Sequence, residues 1–323
     1  MVNVLLIGIG PTTLSALESL MSKCHVQGVV RNADIDDPVV NLARQANIPI
    51  FPDTSQKEIK SLILKLQPDC VVVSSYNQIL PPSLIELSTF INVHYSPLPQ
   101  YRGRANVNWA IINDEPCAAI TIHKISPDLD EGNILFQQLI PIDFDDTVAD
   151  LYGRLNQIQE QNLGGTIVKA FHGYEGVQQN NSEATYGCTR LPEDGEINWL
   201  ASTRSIYCLV RALVDPFPGA YTYFQGKKLL IWQAKPVDNP SVYIGRIPGR
   251  IIGRSKTEGF VDILTGDGVL RIIEVQMLGE ERTAAANIIK SVKSTLGLQT
   301  SELLTRIQNL EAQISKIKEN AKQ

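Results

Sequence analysis

Apolar strand-length runs alternate with helix-length segments over the first 95 residues of the chain. Val2–Gly8 is an apolar run interrupted only by Asn3, Thr12–Met21 has helical spacing, and Val26–Val30 is apolar again apart from Gln27. Strand, helix and strand in succession predict parallel strands joined by crossover helices. The pattern continues with expected helices at 37–45, 55–66 and 81–87 and expected strands at 48–51, 70–74 and 90–93. We therefore expect an α/β fold with a Rossmann-like, doubly wound and mostly parallel sheet, whose ligands bind beyond the carboxyl ends of its strands.

The residue pattern of the sequence changes after residue 171, from alternating strands and helices to a polar stretch and short β-rich runs. With 323 residues, of which 43% are apolar, the chain is long enough for two cores. A polar stretch at 172–189 predicts a linker, and the five short β-rich runs that follow it predict a small OB-like β-barrel. These runs lie at 220–224, 228–234, 249–254, 260–264 and 270–276. We expect an α/β domain at 1–189, a barrel at 190–283 and a helical tail at 284–323.

Charge and composition exclude several classes of protein. No apolar run approaches the roughly 18 residues of a membrane span, and the start of the chain lacks the features of a signal peptide, so we expect a cytoplasmic protein with no membrane partner. Residues 1–190 carry 12 Lys/Arg against 20 Asp/Glu, a balance of −8. A nucleic-acid partner, which requires clustered basic residues, is not expected. The five cysteines are far apart, and we expect no metal site.

A glycine-containing turn follows the first predicted strand. Gly8-Ile9-Gly10 lacks the third glycine of a dinucleotide-binding motif. A tight turn into the first helix is the favoured interpretation.

The polar residues best suited to catalysis lie between Phe90 and Leu135. Asn92 and His94 are two residues apart at the end of a predicted strand, so their side chains point the same way. Asp130 lies in an acidic turn further along. An amide can bind a developing oxyanion, an imidazole can act as a general base and a carboxylate can orient it. A purely structural role for His94 and Asp130 is an equally good interpretation of the spacing alone.

A long, ordered set of motifs resembles that of the 10-formyltetrahydrofolate-dependent formyltransferases. The motifs are Asn92-Val-His94, Ser96-Pro-Leu98-Pro99, Tyr101-Arg102-Gly103, Trp109-Ala-Ile111, Thr121-Ile-His123, Leu129-Asp130-Glu-Gly132 and, in the second domain, Arg211 to Gly219. The resemblance implies transfer of a formyl group from 10-formyltetrahydrofolate to a primary amine. It also implies that Asn92, His94 and Asp130 are the catalytic residues.

The same resemblance implies two sets of binding residues. Those expected at the folate are Tyr76, Asn77, Gln78, Ser96, Leu98, Pro99, Arg104, Ser126, Pro127, Asp128 and Leu129. Those expected on the acceptor side are Tyr95, Arg102 and Asn106, and both Arg102 and Arg104 could meet the folate or a diphosphate. The chain departs from the family pattern at several positions, namely Tyr95, Pro97, Asn106 and Ala118-Ala119. The departures at Tyr95 and Asn106 bear on which amine is the acceptor more than on the type of reaction.

The acceptor amine is open among several classes. A nucleotide-linked amino sugar is the favoured acceptor, because 101–109 is similar to the sugar enzymes of the family and 31–37 is short and acidic. A carrier-bound aminoacyl group and initiator methionyl-tRNA are the alternatives. A folate-binding protein without catalysis is a different class, which the intact set of catalytic residues argues against.

Apolar residues in the tail recur at spacings of four, three, four and three. They are Leu303, Ile307, Leu310, Ile314 and Ile317. This spacing predicts an amphipathic helix, which either packs on its own barrel or forms a short coiled coil. The coiled coil would pair two subunits, and a linker helix that leads to another module of a longer chain is a further alternative.

Overall fold

The computed structural model describes residues 1–32, 37–104 and 106–320. They form two compact units, one of residues 1–110 and 115–190, the other of residues 111–114 and 191–323 as far as it is described. The strands of the first unit are β1 (Asn3–Ile7), β2 (His25–Val30), β3 (Ile50–Phe51), β4 (Cys70–Ser74), β5 (Thr89–His94), β6 (Arg102–Gly103), β7 (Cys117–Lys124), β8 (Ile134–Pro141) and β9 (Tyr186–Gly187). Its helices are α1 (Thr13–Lys23), α2 (Pro38–Gln45), α3 (Gln56–Leu66), α4 (Pro82–Ile85), α5 (Asn106–Ile112) and α6 (Val148–Phe171).

The central sheet has the order β3-β2-β1-β4-β5-β7-β8. The first five strands in this order are parallel, whereas β7 runs antiparallel to β5 and β8 antiparallel to β7. Leu5 and Ile7 of β1 and Val71 and Val73 of β4 pack against α3 and α4 in one buried cluster, and α1 packs against α6. The predicted doubly wound, mostly parallel sheet is confirmed. The edge strand β8 is an element that the sequence analysis did not predict.

The turn after β1 is tight. A Cβ atom on Gly8 would lie 2.3 Å from the Thr13 hydroxyl oxygen and 2.8 Å from the carbonyl oxygen of Ser74. The guanidinium of Arg31 donates to the carbonyl oxygens of Gly8 and Gly10 and forms an ion pair with Asp37. The turn is therefore filled by the chain's own side chains, as the tight-turn interpretation expects.

The second unit is a small antiparallel β structure. Its strands are β10 (Ala220–Phe224), β11 (Lys227–Pro236), β12 (Ile251–Arg254), β13 (Val261–Leu264), β14 (Val269–Met277) and β15 (Thr283–Ala284), and its helices are α7 (Thr203–Ala212), α8 (Ala285–Ile288) and α9 (Thr300–Asn320). The strand order is β10-β11-β14-β13-β12, with β15 beside β14. The predicted OB-like barrel domain is confirmed.

The helical tail is shorter than predicted. Residues 289–299 are not helical, and Ile289 and Leu296 are buried. Backbone hydrogen bonds attach this segment to the barrel, from Ile251 N–H to the carbonyl oxygen of Ser294 and from Gly297 N–H to that of Tyr223. The expectation of a helix from 284 onward is therefore wrong for 289–299, because this segment finds its backbone partners in the barrel.

Candidate active site

The end of β5 presents Asn92 and His94 on one face of the sheet. The two residues alternate with Val93 along the strand, so both side chains lie on the same side. In the antiparallel register with β7, Asn92 lies opposite His123. Residues directly opposite each other on neighbouring strands share a face. The register therefore adds His123 to the two residues that the sequence analysis selected.

Asp130 reaches the same face from the loop between β7 and β8. This loop starts near the amino end of β5, because β7 is antiparallel and Ile125 N–H donates to the carbonyl oxygen of Phe90. It then returns so that the carboxylate of Asp130 lies 3.7 Å from His94 Nδ1 and 3.7 Å from His123 Nε2. The three predicted catalytic residues thus converge, although the loop does not begin at the carboxyl edge of the parallel strands.

The backbone of this loop is tightly constrained. Asp130 has a φ of 54°, a left-handed conformation that aspartate tolerates better than most residues. A Cβ atom on Gly132 would lie 1.8 Å from the carbonyl oxygen of Lys124, so only glycine fits there. The Gly103 N–H donates to Asp130 Oδ2 over 2.9 Å. The direction of the carboxylate is therefore fixed by backbone as well as by its neighbours.

His123 is a neutral imidazole of known tautomer. Burial lowers its pKa to about 4, against the opposing effect of Asp130. Its Nδ1 donates to the carbonyl oxygen of Lys124 over 2.9 Å, because a carbonyl can only accept. Nε2 is then an acceptor and receives a hydrogen bond from Asn92 Nδ2 over 3.1 Å. His123 therefore fixes which end of the Asn92 amide faces it.

His94 is oriented from its Nε2 side by two groups. The carbonyl oxygen of Tyr101 lies 3.0 Å from Nε2 and the side-chain amide of Asn106 lies 2.8 Å from it. The tautomer with a proton on Nε2 donates to the carbonyl and leaves Nδ1 as a proton acceptor facing Asp130, whereas the tautomer without that proton accepts at Nε2 from Asn106 Nδ2. Asn106 thus contacts the imidazole directly, where the sequence analysis expected it to contact the acceptor.

Arg102 is fully buried and its guanidinium is occupied by protein groups. It donates to Glu131 Oε1 over 2.6 Å, to Gln179 Oε1 over 2.8 Å and to Asn181 Oδ1 over 2.6 Å. Gln179 in turn donates to the carbonyl oxygen of Asp130 over 2.7 Å. The expectation that Arg102 meets a diphosphate is therefore not supported, since its guanidinium supports the loop of Asp130 instead.

The segment 172–189, predicted as a linker, is part of the first unit. It supplies Gln179 and Asn181 to the Arg102 network, and β9 within it pairs with β6 in parallel. The many amide side chains of this segment are typical of a linker. In the structure, the amides of Gln179 and Asn181 accept hydrogen bonds from Arg102.

Tyr95 is buried. Its hydroxyl lies 2.7 Å from Asn156 Oδ1 and 2.8 Å from Gln159 Oε1, both on α6, and burial raises its pKa. The structure therefore places the Tyr95 hydroxyl against α6, where the sequence analysis expected Tyr95 on the acceptor side.

Comparison with known proteins identifies the family. Residues 19–167 match the family model described as "Formyl transferase", and residues 191–293 match "Formyl transferase, C-terminal domain". A methionyl-tRNA formyltransferase of Alkaliphilus oremlandii is 33% identical over 250 residues, which cover 76% of this chain and 79% of that protein. One from Staphylococcus aureus is 31% identical over 312 residues, which cover 92% of this chain and 98% of that protein. The chain belongs to the formyl transferase family.

Solved structures share the fold of this formyltransferase. An N-formyltransferase from Helicobacter canadensis, in complex with folinic acid and dTDP-3-aminofucose, matches with a TM-score of 0.64 at 21% identity over 86% of this chain and 100% of that one. HypX from Aquifex aeolicus matches with a TM-score of 0.65 at 17% identity over 90% of this chain. This chain spans about half the length of HypX, since 47% of that chain is covered.

The chain is a formyltransferase enzyme, and its formyl donor is 10-formyltetrahydrofolate. Two of the three segments predicted at the folate leave the sheet at one edge, because Tyr76–Gln78 follow β4 and Ser96–Pro99 follow the neighbouring parallel strand β5. The third, Ser126–Leu129, belongs to the loop that carries Asp130. Arg104 is exposed, unlike the buried Arg102.

Neither a metal site nor a membrane segment is found in residues 1–32, 37–104 and 106–320. No group of three or more His, Cys, Asp or Glu side chains there could hold a metal ion. No helix there combines the length and the apolarity that crossing a bilayer demands.

The lowered pKa of His123 predicts a pH dependence of stability. The folded pKa, about 4, lies below the ordinary value of 6.5, so unfolding takes up a proton between these values. The free energy of unfolding should be unaffected by this group above pH 6.5 and should fall by up to about 1.4 kcal/mol per pH unit toward pH 4. Urea unfolding of His123→Asn at pH 7.0 to 4.5 should show a smaller slope than the wild type. His172→Asn, at an exposed site, should keep the wild-type slope. Equal slopes for the wild type and His123→Asn would contradict the assignment.

Proposed function

We propose that this formyltransferase transfers the formyl group to the primary amine of a nucleotide-linked amino sugar, with Asn92, His94 and Asp130 as catalytic residues. The observation that carries the catalytic assignment is the convergence of His94 Nδ1, His123 Nε2 and the two oxygens of Asp130 on one face of the sheet. The charge balance of −8 in residues 1–190 supports a small-molecule acceptor.

The predicted folate segments have free backbone donors suited to a polar heterocycle. In the described part of the chain, the N–H groups of Tyr76, Asn77, Gln78, Asp128 and Leu129 donate no hydrogen bond. Such groups can bind the donor and acceptor atoms of a pteridine ring. The exposed side chains of Ile79 and Leu129 beside them offer apolar contact. These segments therefore fit the folate, which supplies a formyl group bonded to a nitrogen that departs as an amine.

Asn92 is proposed to bind the formyl oxygen as negative charge develops on it. Its side-chain nitrogen has two hydrogens, and one of them is committed to His123 Nε2. The second remains for the oxygen. Because His123 is neutral with Nε2 unprotonated, the amide is held with its nitrogen toward the ring. A donor fixed in advance in this way stabilises the charge without reorganisation.

His94 and Asp130 are proposed to move the proton of the attacking amine. With a proton on Nε2, the His94 ring accepts the new proton at Nδ1, which faces Asp130 over 3.7 Å. The carboxylate then stabilises the imidazolium. Gly103 N–H and Gln179 hold Asp130 in place for this role. The proton finally passes to the nitrogen that loses the formyl group, so the overall transfer is balanced.

Asn106 is proposed as a positioning residue for His94. Substitution of Asn106 by leucine, a side chain of similar size, should lower kcat by roughly tenfold because the imidazole loses its amide partner. KM for the folate should change little, since Asn106 contacts the imidazole. Steady-state kinetics at saturating folate, with the melting temperature as a control for folding, measure this. An unchanged kcat would exclude the role.

Initiator methionyl-tRNA is the second candidate acceptor. It is favoured by the two curated relatives described above, which are methionyl-tRNA formyltransferases at 33% and 31% identity. A tRNA acceptor must contact basic residues through its phosphates, and its binding must weaken steeply with salt. The two candidate acceptors therefore differ in how strongly ionic strength is expected to weaken their binding.

An acceptor panel tests the proposal. The full chain is incubated with 10-formyltetrahydrofolate and, separately, dTDP- and UDP-linked amino sugars, methionyl-tRNA and a carrier-bound aminoacyl group, and each product is examined by mass spectrometry. We expect formylation of a nucleotide sugar, with less than about a threefold change in rate between 50 and 200 mM salt. Formylation of methionyl-tRNA alone, with a loss of about 10³-fold over that range, would assign the second candidate. Absence of turnover with every amine, despite folate binding, would contradict enzymatic formyl transfer to these acceptors.

A further inference from the structure

Helix α9 (Thr300–Asn320) carries an apolar stripe that the chain does not cover. The stripe consists of Leu303, Ile307, Leu310, Ile314 and Ile317, whose exposed fractions lie between 39% and 67%. A helix that packed this stripe on its own barrel would bury it. The interpretation that α9 packs on its own barrel is therefore not supported in the described structure.

The residue types in the stripe favour a two-stranded coiled coil. With Ile307 and Ile314 at heptad position a, Leu303, Leu310 and Ile317 fall at position d. Isoleucine at a with leucine at d favours parallel dimers, because these shapes fit the holes of the facing helix. The stripe follows this rule at four of its five positions.

The charges beside the stripe are complementary between two parallel copies. Arg306 is at position g and Glu311 at position e of the next heptad. In a parallel in-register pair, position g of one helix faces position e of the next heptad of the other, so Arg306 of each copy meets Glu311 of the other. In an antiparallel pair, Arg306 would instead face Gln313 and Glu311 would face Leu304.

Both charged groups are available for such a contact. Among the side chains that the structure describes, neither Arg306 nor Glu311 forms an ion pair within the chain. The Arg306 guanidinium lies beside Gly226, with Nη1 3.4 Å from the position that a Cβ atom there would take. This neighbour offers no charge to Arg306, so a carboxylate of a second copy is the better partner.

We infer that α9 pairs with α9 of a second copy of this chain in a parallel, in-register coiled coil. The pairing involves none of the residues assigned to formyl transfer and does not depend on the identity of the acceptor.

Sedimentation velocity of the full chain from about 1 to 100 µM tests whether α9 forms a dimer. We expect a concentration-dependent dimer of the wild type. Leu310→Glu should make the chain monomeric over this range, and Ala312→Glu, at the outward position f, should leave the dimer intact. A wild type that stays monomeric, or a dimer that survives Leu310→Glu, would overturn the inference. The melting temperature of each variant verifies that the two units remain folded.

Charge reversal tests the orientation and the register. Arg306→Glu alone and Glu311→Arg alone should each raise the dimer dissociation constant roughly tenfold or more, because two attractive contacts become repulsive. An equimolar mixture of these two variants should form a heterodimer of wild-type affinity, since every facing pair is then opposite in charge. The double variant with both changes should also recover the dimer. If neither the mixture nor the double variant recovers it, the parallel register is wrong.

Discussion

Replacing His94 by alanine is expected to lower kcat by about 10²-fold or more while the protein remains folded. The variant loses the group proposed to accept the proton of the attacking amine, but the sheet keeps its hydrogen bonds because they are made by the backbone. Asp130→Asn should have an effect of the same order, since an amide cannot stabilise the imidazolium by charge. Single-turnover measurements at saturating 10-formyltetrahydrofolate isolate the chemical step from product release.

The matched control for His94 is His172→Ala. His172 is exposed at the end of α6, away from the hydrogen bonds of the site. Its replacement should leave kcat within about twofold of the wild type, since surface substitutions of this kind have small effects. Near-normal turnover of His94→Ala would reject the catalytic assignment, whatever the acceptor turns out to be.

Arg102→Met is expected to reduce both stability and turnover. Its buried guanidinium holds Glu131, Gln179 and Asn181. Breaking a buried ion pair by removing one partner costs about 3–5 kcal/mol, and Glu131 is partly exposed, so we expect about 3 kcal/mol, near the lower end of that range. Turnover should fall as well, because Gln179 then loses the partner that fixes it against the backbone of Asp130.

Arg104→Met is the control for Arg102. The two arginines are two residues apart, carry the same charge and differ in burial. Removing the exposed Arg104 should change the free energy of unfolding by less than about 0.5 kcal/mol. It should raise KM for the nucleotide sugar or the folate if Arg104 contacts either. Chemical denaturation of both variants gives the comparison, and equal losses of stability would contradict the structural role of Arg102.

The sheet was predictable because local pattern and global fold agree. β1 and β4 are short, nearly continuous apolar runs, and β2 and β5 carry Val, Ile or Phe at most of their buried positions. Burial on both faces favours that composition in a parallel sheet. Strand β8 was missed because an edge strand exposes part of its length. Gln137, Gln138 and Leu139 in its middle are exposed, so it lacks the apolar signal on which the other predictions rested.

The active site was predictable only in part. The spacing of Asn92 and His94 within one strand defines their common face, and the family motif supplied Asp130. His123 lies in one of the family motifs, but its place at the site depends on the register between β5 and β7. That register is a property of the paired strands, which are separated by 22 residues of sequence between His94 and Cys117, and not of either strand alone. The partners of Arg102 were unpredictable for a similar reason, since they come from a segment whose amide-rich composition predicts a linker.

The hydrogen bond from Gln179 to Asp130 spans 49 residues of sequence. A chain synthesised from its amino end therefore completes the seven strands of the central sheet and all of α6 before the support for the Asp130 loop exists. Bringing Gln179 back to Asp130 closes a long loop, and the Arg102 contacts and the backbone hydrogen bonds between Val177 and Ile134 that form with it offset its entropic cost. We expect nascent chains that end near residue 171 to contain an ordered sheet with an unsupported Asp130, so that competence for catalysis arises late in synthesis.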